Sequence, residues 1–292
     1  MWGVLIDLHT HSRASDGTQS PAEVMRSAAE AGLDVVALTD HDTAQGWGEA
    51  TEAAAGLGID LVLGIEISTR FGSAGVHLLA YLPDADDPDL VTTLDRILEG
   101  RNARVPAMLD RLREVGVDLS ADDVRRVAVG TPATGRPHVA DALVARGVVA
   151  SRAEAFERYL NPGRPGYARR FAADLEDVVP IVVAAGGVPV VAHPWGRAAR
   201  AELTAEAFAG LKGIGLAGIE VDHQDHDATA REALRAIARE LDLVVTGSSD
   251  YHGAGKADHD LGCNTTAPEE LARIRELADA ARTARAGRRA GR

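Results

Sequence analysis

Residues 4–42 read VLIDLHTHSRASDGTQSPAEVMRSAAEAGLDVVALTDHD. The short apolar run from Val4 to Leu8 ends on His9 and His11, and Asp16 stands in the loop that follows. Ser20 is placed to N-cap a helix, Pro21 suits its first position, Glu23 completes a capping box and Gly32 ends it. A second apolar run, DVVALT, closes on Asp40, His41 and Asp42. WGEATEAAAGLG then reads as a helix, and IDLVLGIEIS as a third strand ending near Glu66. Strand-helix-strand-helix-strand demands parallel strands joined by helical crossovers.

The rhythm returns late in the chain. LEDVVPIVVAAGG is a helix with Pro180 in its early part, VPVVAHP is a strand ending at His193, and LAGIEVDH is a strand ending near His223. ATAREALRAIARELD is helical, and LVVTGSSDYH is a strand ending at Asp250 and His252. Between these halves, after the strand VHLLAYL, helical periodicity prevails, broken by GTPATGRPH and LNPGRPGYA. The expected architecture is α/β: a discontinuous barrel from residues 1–85 and 175–270, with a helical insertion, 86–174, as its lid. Residues 271–292 form a C-terminal helix whose Arg-, Ala- and Gly-rich tail frays from about Arg282.

Composition narrows the function. The 292 residues are 46% hydrophobic but only 4% aromatic, which favours close-packed helices and parallel strands over a sandwich. A net charge of −13 gives no general attraction to duplex DNA or an anionic membrane, although bound metal ions can invert the field locally. Cys263 is the single cysteine, so no internal disulfide forms. No stretch has the apolar length of a membrane span, and MWGVLIDLHTH lacks the charged and apolar regions of a signal peptide. These features predict a cytoplasmic protein.

His9, His11, His41, Glu66, His77, His193, Asp250 and His252 all lie in or just beyond predicted strands, most at the C-terminal end, with Asp16 in the first loop. In a parallel barrel those ends converge on one face. Imidazoles and carboxylates without a thiolate suit zinc, manganese or iron(II). The set is too large for one tetrahedral ion and matches two or three divalent ions, with Glu66 as a bridge. Each residue alone has an ordinary reading. A strand-end histidine such as His77 is more often a packing residue, Asp16-Gly17 is ordinarily a turn, and Asp40 and Asp42 read as helix N-caps. Four such clusters at successive strand ends outweigh those readings.

DLHTHSRASDG, LTDHD, GIEIS, AHP and GSSDYHG, in this order, resemble the motifs of the PHP superfamily, named for its polymerase and histidinol phosphatase members. The resemblance runs from Ile6 to about Gly262, interrupted by the insertion, and is strongest to small stand-alone bacterial phosphoesterases. It implies a distorted (β/α)7 barrel with a two- or three-metal centre. It also implies a first metal on His9, His11, Glu66 and Asp250, a second on Asp16, His41 and His252, and a third on Glu66, His77 and His193. The implied reaction is hydrolysis of a phosphate ester by a metal-bridging hydroxide, with Asp250 among the catalytic residues. Some relatives remove the 3′-phosphate of nucleoside 3′,5′-bisphosphates or degrade short RNA from its 5′ end.

Candidates for substrate phosphate are Arg136 and His138 in TGRPHVA, Arg13 in the first loop and Arg164 in the insertion, with Tyr167 placed to stack on a base. His223 is the candidate proton donor to a leaving group. His226 and His259 carry no assigned role, and His259 between acidic neighbours reads as a solvated loop. The expected substrates are therefore a phosphorylated small molecule, a nucleotide or a short RNA. Histidinol-phosphate phosphatase activity is the alternative. A non-catalytic metal-binding module and amidohydrolase chemistry fit the ligand-rich motifs less well.

Overall fold

The computed structural model describes residues 3–129, 131, 134–169, 171–196 and 199–290. Parts of GTPATGRPH and RYLNPGRPGYARR, and the last two residues of the tail, lie outside them. Helix α1 (Pro21–Glu30) begins as its sequence dictates: Ser20 Oγ accepts the Glu23 N–H, and the Glu23 carboxylate accepts the Ser20 N–H. It connects β1 (Ile6–Thr10) to β2 (Val35–Leu38), and α2 (Trp47–Leu57) connects β2 to β3 (Asp60–Phe71). These three strands pair in parallel.

The fourth strand departs from the expected parallel barrel. β3 does not end near Glu66 but runs on to Phe71, and Gly72-Ser73 turns it directly into β4 (Ala74–Tyr81). A connection this short permits antiparallel pairing alone, and Gly72, at φ +55°, supplies the left-handed conformation the turn needs. After a helical segment and a two-residue strand, β5 (Ala173–Asp174), the alternation resumes. Its members are α7 (Leu175–Ala184), β6 (Val188–Ala192), α8 (Ala205–Gly213), β7 (Gly218–Asp222), α9 (Ala228–Glu240) and β8 (Val244–Gly247). The strand order is β1-β2-β3-β4-β6-β7-β8, with β5 beside β3. β4 is antiparallel to both its neighbours, and β6, β7 and β8 are mutually parallel. His11 N–H donates to Tyr251 O (2.8 Å) and Thr266 N–H to Ile6 O (2.9 Å), which brings the two sheet edges into a nearly closed barrel.

Between β4 and β5 lie α3 (Pro88–Glu114), α4 (Ala121–Val127), α5 (Arg136–Ala145) and α6 (Arg152–Ala155), the last continuing into a π-helical turn, Phe156–Leu160. Helix α3 serves two cores. Leu90, Leu94 and Ile97 pack into the layer between sheet and outer helices. Val105, Met108, Leu109 and Leu112 pack instead with Leu119, Val139, Leu143 and Leu160 in a core belonging to the helical segment. Arg101 and Arg104, both buried, occupy the junction.

The C-terminal helix, α10 (Pro268–Ala290), covers the barrel end opposite the strand C-termini. Leu271, Ile274 and Ala278 enter the core formed by Ile6, Leu8, Tyr81 and Val190. Its arginines pair with groups at that end: Arg273 with Asp242 (2.9 Å), Arg275 with Asp60 (2.5 Å) and Arg282 with Leu82 O (3.2 Å). The composition predicts fraying from Arg282, yet the helix continues to Ala290, because Arg282 and Arg285 are anchored, the latter on Asp84 and Asp87. Ile274→Ala should therefore open a cavity in the barrel floor and cost about 2–5 kcal/mol, read as a fall in the midpoint of urea unfolding.

Candidate metal centre

Four side chains converge at the C-terminal mouth of the barrel: His9 on β1, His11 just beyond it, Glu66 on β3 and Asp250 beyond β8. His9 Nε2 lies 3.0 Å from His11 Nε2, 3.3 Å from Glu66 Oε2 and 3.5 Å from Asp250 Oδ1. His11 Nε2 lies 3.1 Å from Glu66 Oε2 and 3.3 Å from Asp250 Oδ1. Four donors at about 2.0–2.1 Å from one ion in a tetrahedron stand roughly 3.3 Å apart. The spacing here is close to that of a metal's ligand shell.

Two further groups adjoin it. Asp16 Oδ1 is 3.2 Å from His252 Nε2, and Asp16 Oδ2 is 3.8 Å from His41 Nε2. Glu66 Oε2 also meets His41 Nδ1 at 2.9 Å, while its Oε1 meets His77 Nδ1 at 2.6 Å and His193 Nε2 at 3.0 Å. One carboxylate thus faces both sides of the cluster with different oxygens. His77 arrives there because β4 is antiparallel. As its fourth residue, His77 sits opposite Ser68 of β3 and Ala192 of β6, beside His193. All nine residues read from the sequence as metal ligands meet in this one site.

The site fits a bound metal on a second observation. Among the described residues, Asp16 Oδ1, Asp250 Oδ1 and His41 Nδ1 are buried and make no hydrogen bond. A buried carboxylate oxygen without a donor is costly unless a cation meets it. The charges are mutually dependent. Burial pushes the Glu66 carboxyl up, but His41, His77 and His9 outweigh it and hold it well below the usual carboxylate range. Burial opposes protonation of His11, yet the nearby carboxylates of Asp250 and Glu66 prevail and raise it to about 9. At His9 burial is likewise overridden, by Glu220, Asp250 and Glu66.

Part of the chain's backbone strain lies here. Asp42 (φ +56°), His193 (+28°) and Asp250 (+53°) are non-glycine residues in left-handed conformations, each costing on the order of 1–3 kcal/mol. Gly17 is required for close approach, since a Cβ there would stand 2.4 Å from His11 O.

Of the supporting carboxylates, Glu220 and Asp7 are residues the sequence reading passed over, and Asp40 and Asp42 are ones it read as helix caps. Fully buried Glu220 on β7 accepts His9 Nδ1–H at 3.0 Å, His193 N–H at 2.8 Å and the Ser248 hydroxyl. It fixes the His9 tautomer so that Nε2 faces the centre. Asp7 accepts the N–H groups of Ser249 (3.0 Å) and Gly262 (2.9 Å). Asp40 and Asp42 are not helix caps; α2 begins at Gly46 without a side-chain cap. Asp40 holds the first loop through Ser12 N–H, Ser12 Oγ and Ser15 Oγ. Asp42 accepts Ser68 N–H at 2.6 Å and pairs with Arg101 Nε at 2.7 Å. A signal existed for Asp7 and Glu220: each is an acid flanked on both sides by apolar residues of a strand, Ile6 and Leu8 or Ile219 and Val221.

The substrate candidates spread more widely. His138 accepts Gly135 N–H on Nδ1 (3.1 Å) and so carries its proton on Nε2, which donates to Ser15 O (3.1 Å). Arg136 opens α5, with its guanidinium 5.5 Å from the Phe156 ring and 5.9 Å from the Tyr167 ring. Arg13 is half-exposed and pairs with Glu23, and Arg164 is exposed. His223 is fully buried, 3.3 Å from Asp250 Oδ2. His226 binds Val221 O and Trp195 N–H. His259, expected in a solvated loop, is buried because its ring packs beside His223.

A hydrolytic metal centre built from adjoining His, Asp and Glu clusters at the mouth of a seven-strand barrel is the class this geometry defines. A sequence profile of the PHP domain matches residues 7–114. The chain is 36% identical over 257 residues to a 3′,5′-nucleoside bisphosphate phosphatase of Chromobacterium violaceum, covering 88% of this chain and 90% of that protein. It is 33% identical over 246 residues to a 5′-3′ exoribonuclease of Haemophilus influenzae, covering 84% and 89%. A Bifidobacterium adolescentis structure assigned as a metal-dependent phosphoesterase superposes with a TM-score of 0.89 at 36% identity, over 93% of this chain and 96% of that one. The chain belongs to the PHP family and is a metal-dependent phosphoesterase.

Glu220→Gln keeps the shape but places an amide against His9 Nδ1–H and His193 N–H. Metal affinity should fall about 10- to 100-fold, by calorimetric titration, with the circular dichroism spectrum unchanged. Gly17→Ala should displace the first loop and cost about 1–3 kcal/mol, measured as a lower Tm of the metal-free chain.

Proposed function

We propose that the chain hydrolyses phosphate esters of nucleotides, as a nucleoside 3′,5′-bisphosphate 3′-phosphatase that also trims short 5′-phosphorylated RNA from its 5′ end. The observation that carries this is the closely spaced group His9–His11–Glu66–Asp250, sharing Glu66 with a second cluster and lying beside an arginine-bearing helical segment. The relatives' activities on a bisphosphate and on RNA support the same reading. The ligands are His9, His11, Asp16, His41, Glu66, His77, His193, Asp250 and His252, holding two or three divalent ions of manganese, zinc or iron(II). The site of action is the cytoplasm; among the described residues no helix is long and apolar enough to cross a membrane.

When bound, the ions supply a water nucleophile active near neutral pH and positive charge for the phosphoryl oxygens. The chain's own residues do the rest. Glu66 holds the two sides of the cluster in one register. Glu220 and Asp7 tie β1 to the segment after β8, so His9, His11 and Asp250 are held as a rigid unit. Arg136 contacts a substrate phosphate, at the first turn of α5, where the helix dipole also favours an anion. His138 keeps the first loop against the helical segment through Ser15 O. Arg152 does the same through Asp16 O (3.0 Å).

The test is phosphate release after manganese reconstitution, from adenosine 3′,5′-bisphosphate, AMP, a short 5′-phosphorylated RNA and histidinol phosphate. Turnover of the bisphosphate or the RNA, abolished by EDTA, restored by manganese and absent in His9→Ala, is expected. Arg136→Met should raise KM for the bisphosphate roughly 10- to 100-fold, the worth of a charge-assisted hydrogen bond. Turnover of histidinol phosphate alone would overturn the nucleotide reading.

A further inference from the structure

The two oxygens of Asp250 have different surroundings. Oδ1 faces His11 Nε2 (3.3 Å) and His9 Nε2 (3.5 Å), is buried and makes no hydrogen bond among the described residues. Oδ2 lies 2.5 Å from Lys256 Nζ and 3.3 Å from His223 Nε2. The tautomer of His223 follows from its other nitrogen. Nδ1 accepts the Asp225 N–H at 3.0 Å, so the neutral ring carries its proton on Nε2 and donates it to Oδ2.

This corner resembles a further cation site, because ligand atoms of His223, Asp250 and His259 lie within 4.8 Å of one another. The chemistry differs. His223 offers a proton there rather than a lone pair, and an ammonium already supplies positive charge to the carboxylate. Lys256 follows the turn Gly253–Gly255 and is about three-quarters buried, so its charge is poorly screened.

We propose that Lys256, seated with His223 on Asp250 Oδ2, is a positioning residue that leaves Oδ1 alone to the metal centre and weakens the centre's hold on its ions. Two donors on one carboxylate oxygen prevent Asp250 from chelating an ion with both. The ammonium draws charge from the ligand and repels a cation close by. Ordering one carboxylate helps binding slightly, but the Coulomb effect at this range is larger and sets the sign. An ion so held is more electrophilic and exchanges more readily. The inference rests on the metal-centre reading above.

The experiment is manganese titration of the metal-free full-length chain, followed by calorimetry and by the EPR signal of free Mn(II). Native protein, Lys256→Gln and Lys256→Arg are compared. Lys256→Gln should bind manganese about tenfold more tightly at an unchanged number of ions. Lys256→Arg, which keeps the charge, should match the native chain. Lys256→Met gives the same comparison should the glutamine variant fail to fold. Binding by the neutral variants that equals or falls below the native affinity would overturn the proposal. So would uptake of an additional ion, which would make the lysine a plug in a metal site. A native chain that takes up no manganese would instead overturn the metal-centre reading, and this proposal with it.

Discussion

Glu66 is the group on which the site depends. A carboxylate with 1% exposure stands among His9, His11, His41, His77 and His193, contributed by β1, β4 and the segments after β1, β2 and β6. Collecting so many imidazoles in the mouth of a barrel is unfavourable unless an opposite charge compensates them. Its two oxygens divide that task, one toward His9, His11 and His41, the other toward His77 and His193. Remaining buried acids orient the ligands from behind, as Glu220 does for His9.

Left-handed backbone at Asp42, His193 and Asp250 costs free energy that the surrounding packing must offset. Two well-filled regions do so. Below the site, Tyr81, Leu8, Val190 and Ile274 fill the barrel. Outside it, Ile65, Leu78, Val191 and Phe208 pack beneath the helices. Rigid walls of this kind keep strained residues in place where a loop alone would relax.

The helical segment is more than a cover. It reaches the metal loops at three points: His138 to Ser15 O, Arg152 to Asp16 O, and Arg101 to Asp42 and Ser68. Ser15, Asp16 and Asp42 are either proposed ligands or their immediate neighbours. Movement of the segment on binding substrate would therefore be felt directly by the metal-holding loops.

The sequence by itself determined the alternation of strands and helices, the capping box of α1, the family, and the placing of His9, His11, His41, His193, Asp250 and His252 at strand ends. These are local features, written in periodicity and in residue types at fixed spacing. Tertiary structure decided what depends on direction and depth. The reversal of β4, caused by a two-residue turn, carries His77 to the site from the opposite chain direction. The buried roles of Asp40 and Lys256 and the partners of Glu220 were not legible, because an acid or a lysine in a sequence does not reveal its partner. Pairing energy appears only when strands distant along the chain bring those groups within a few ångströms.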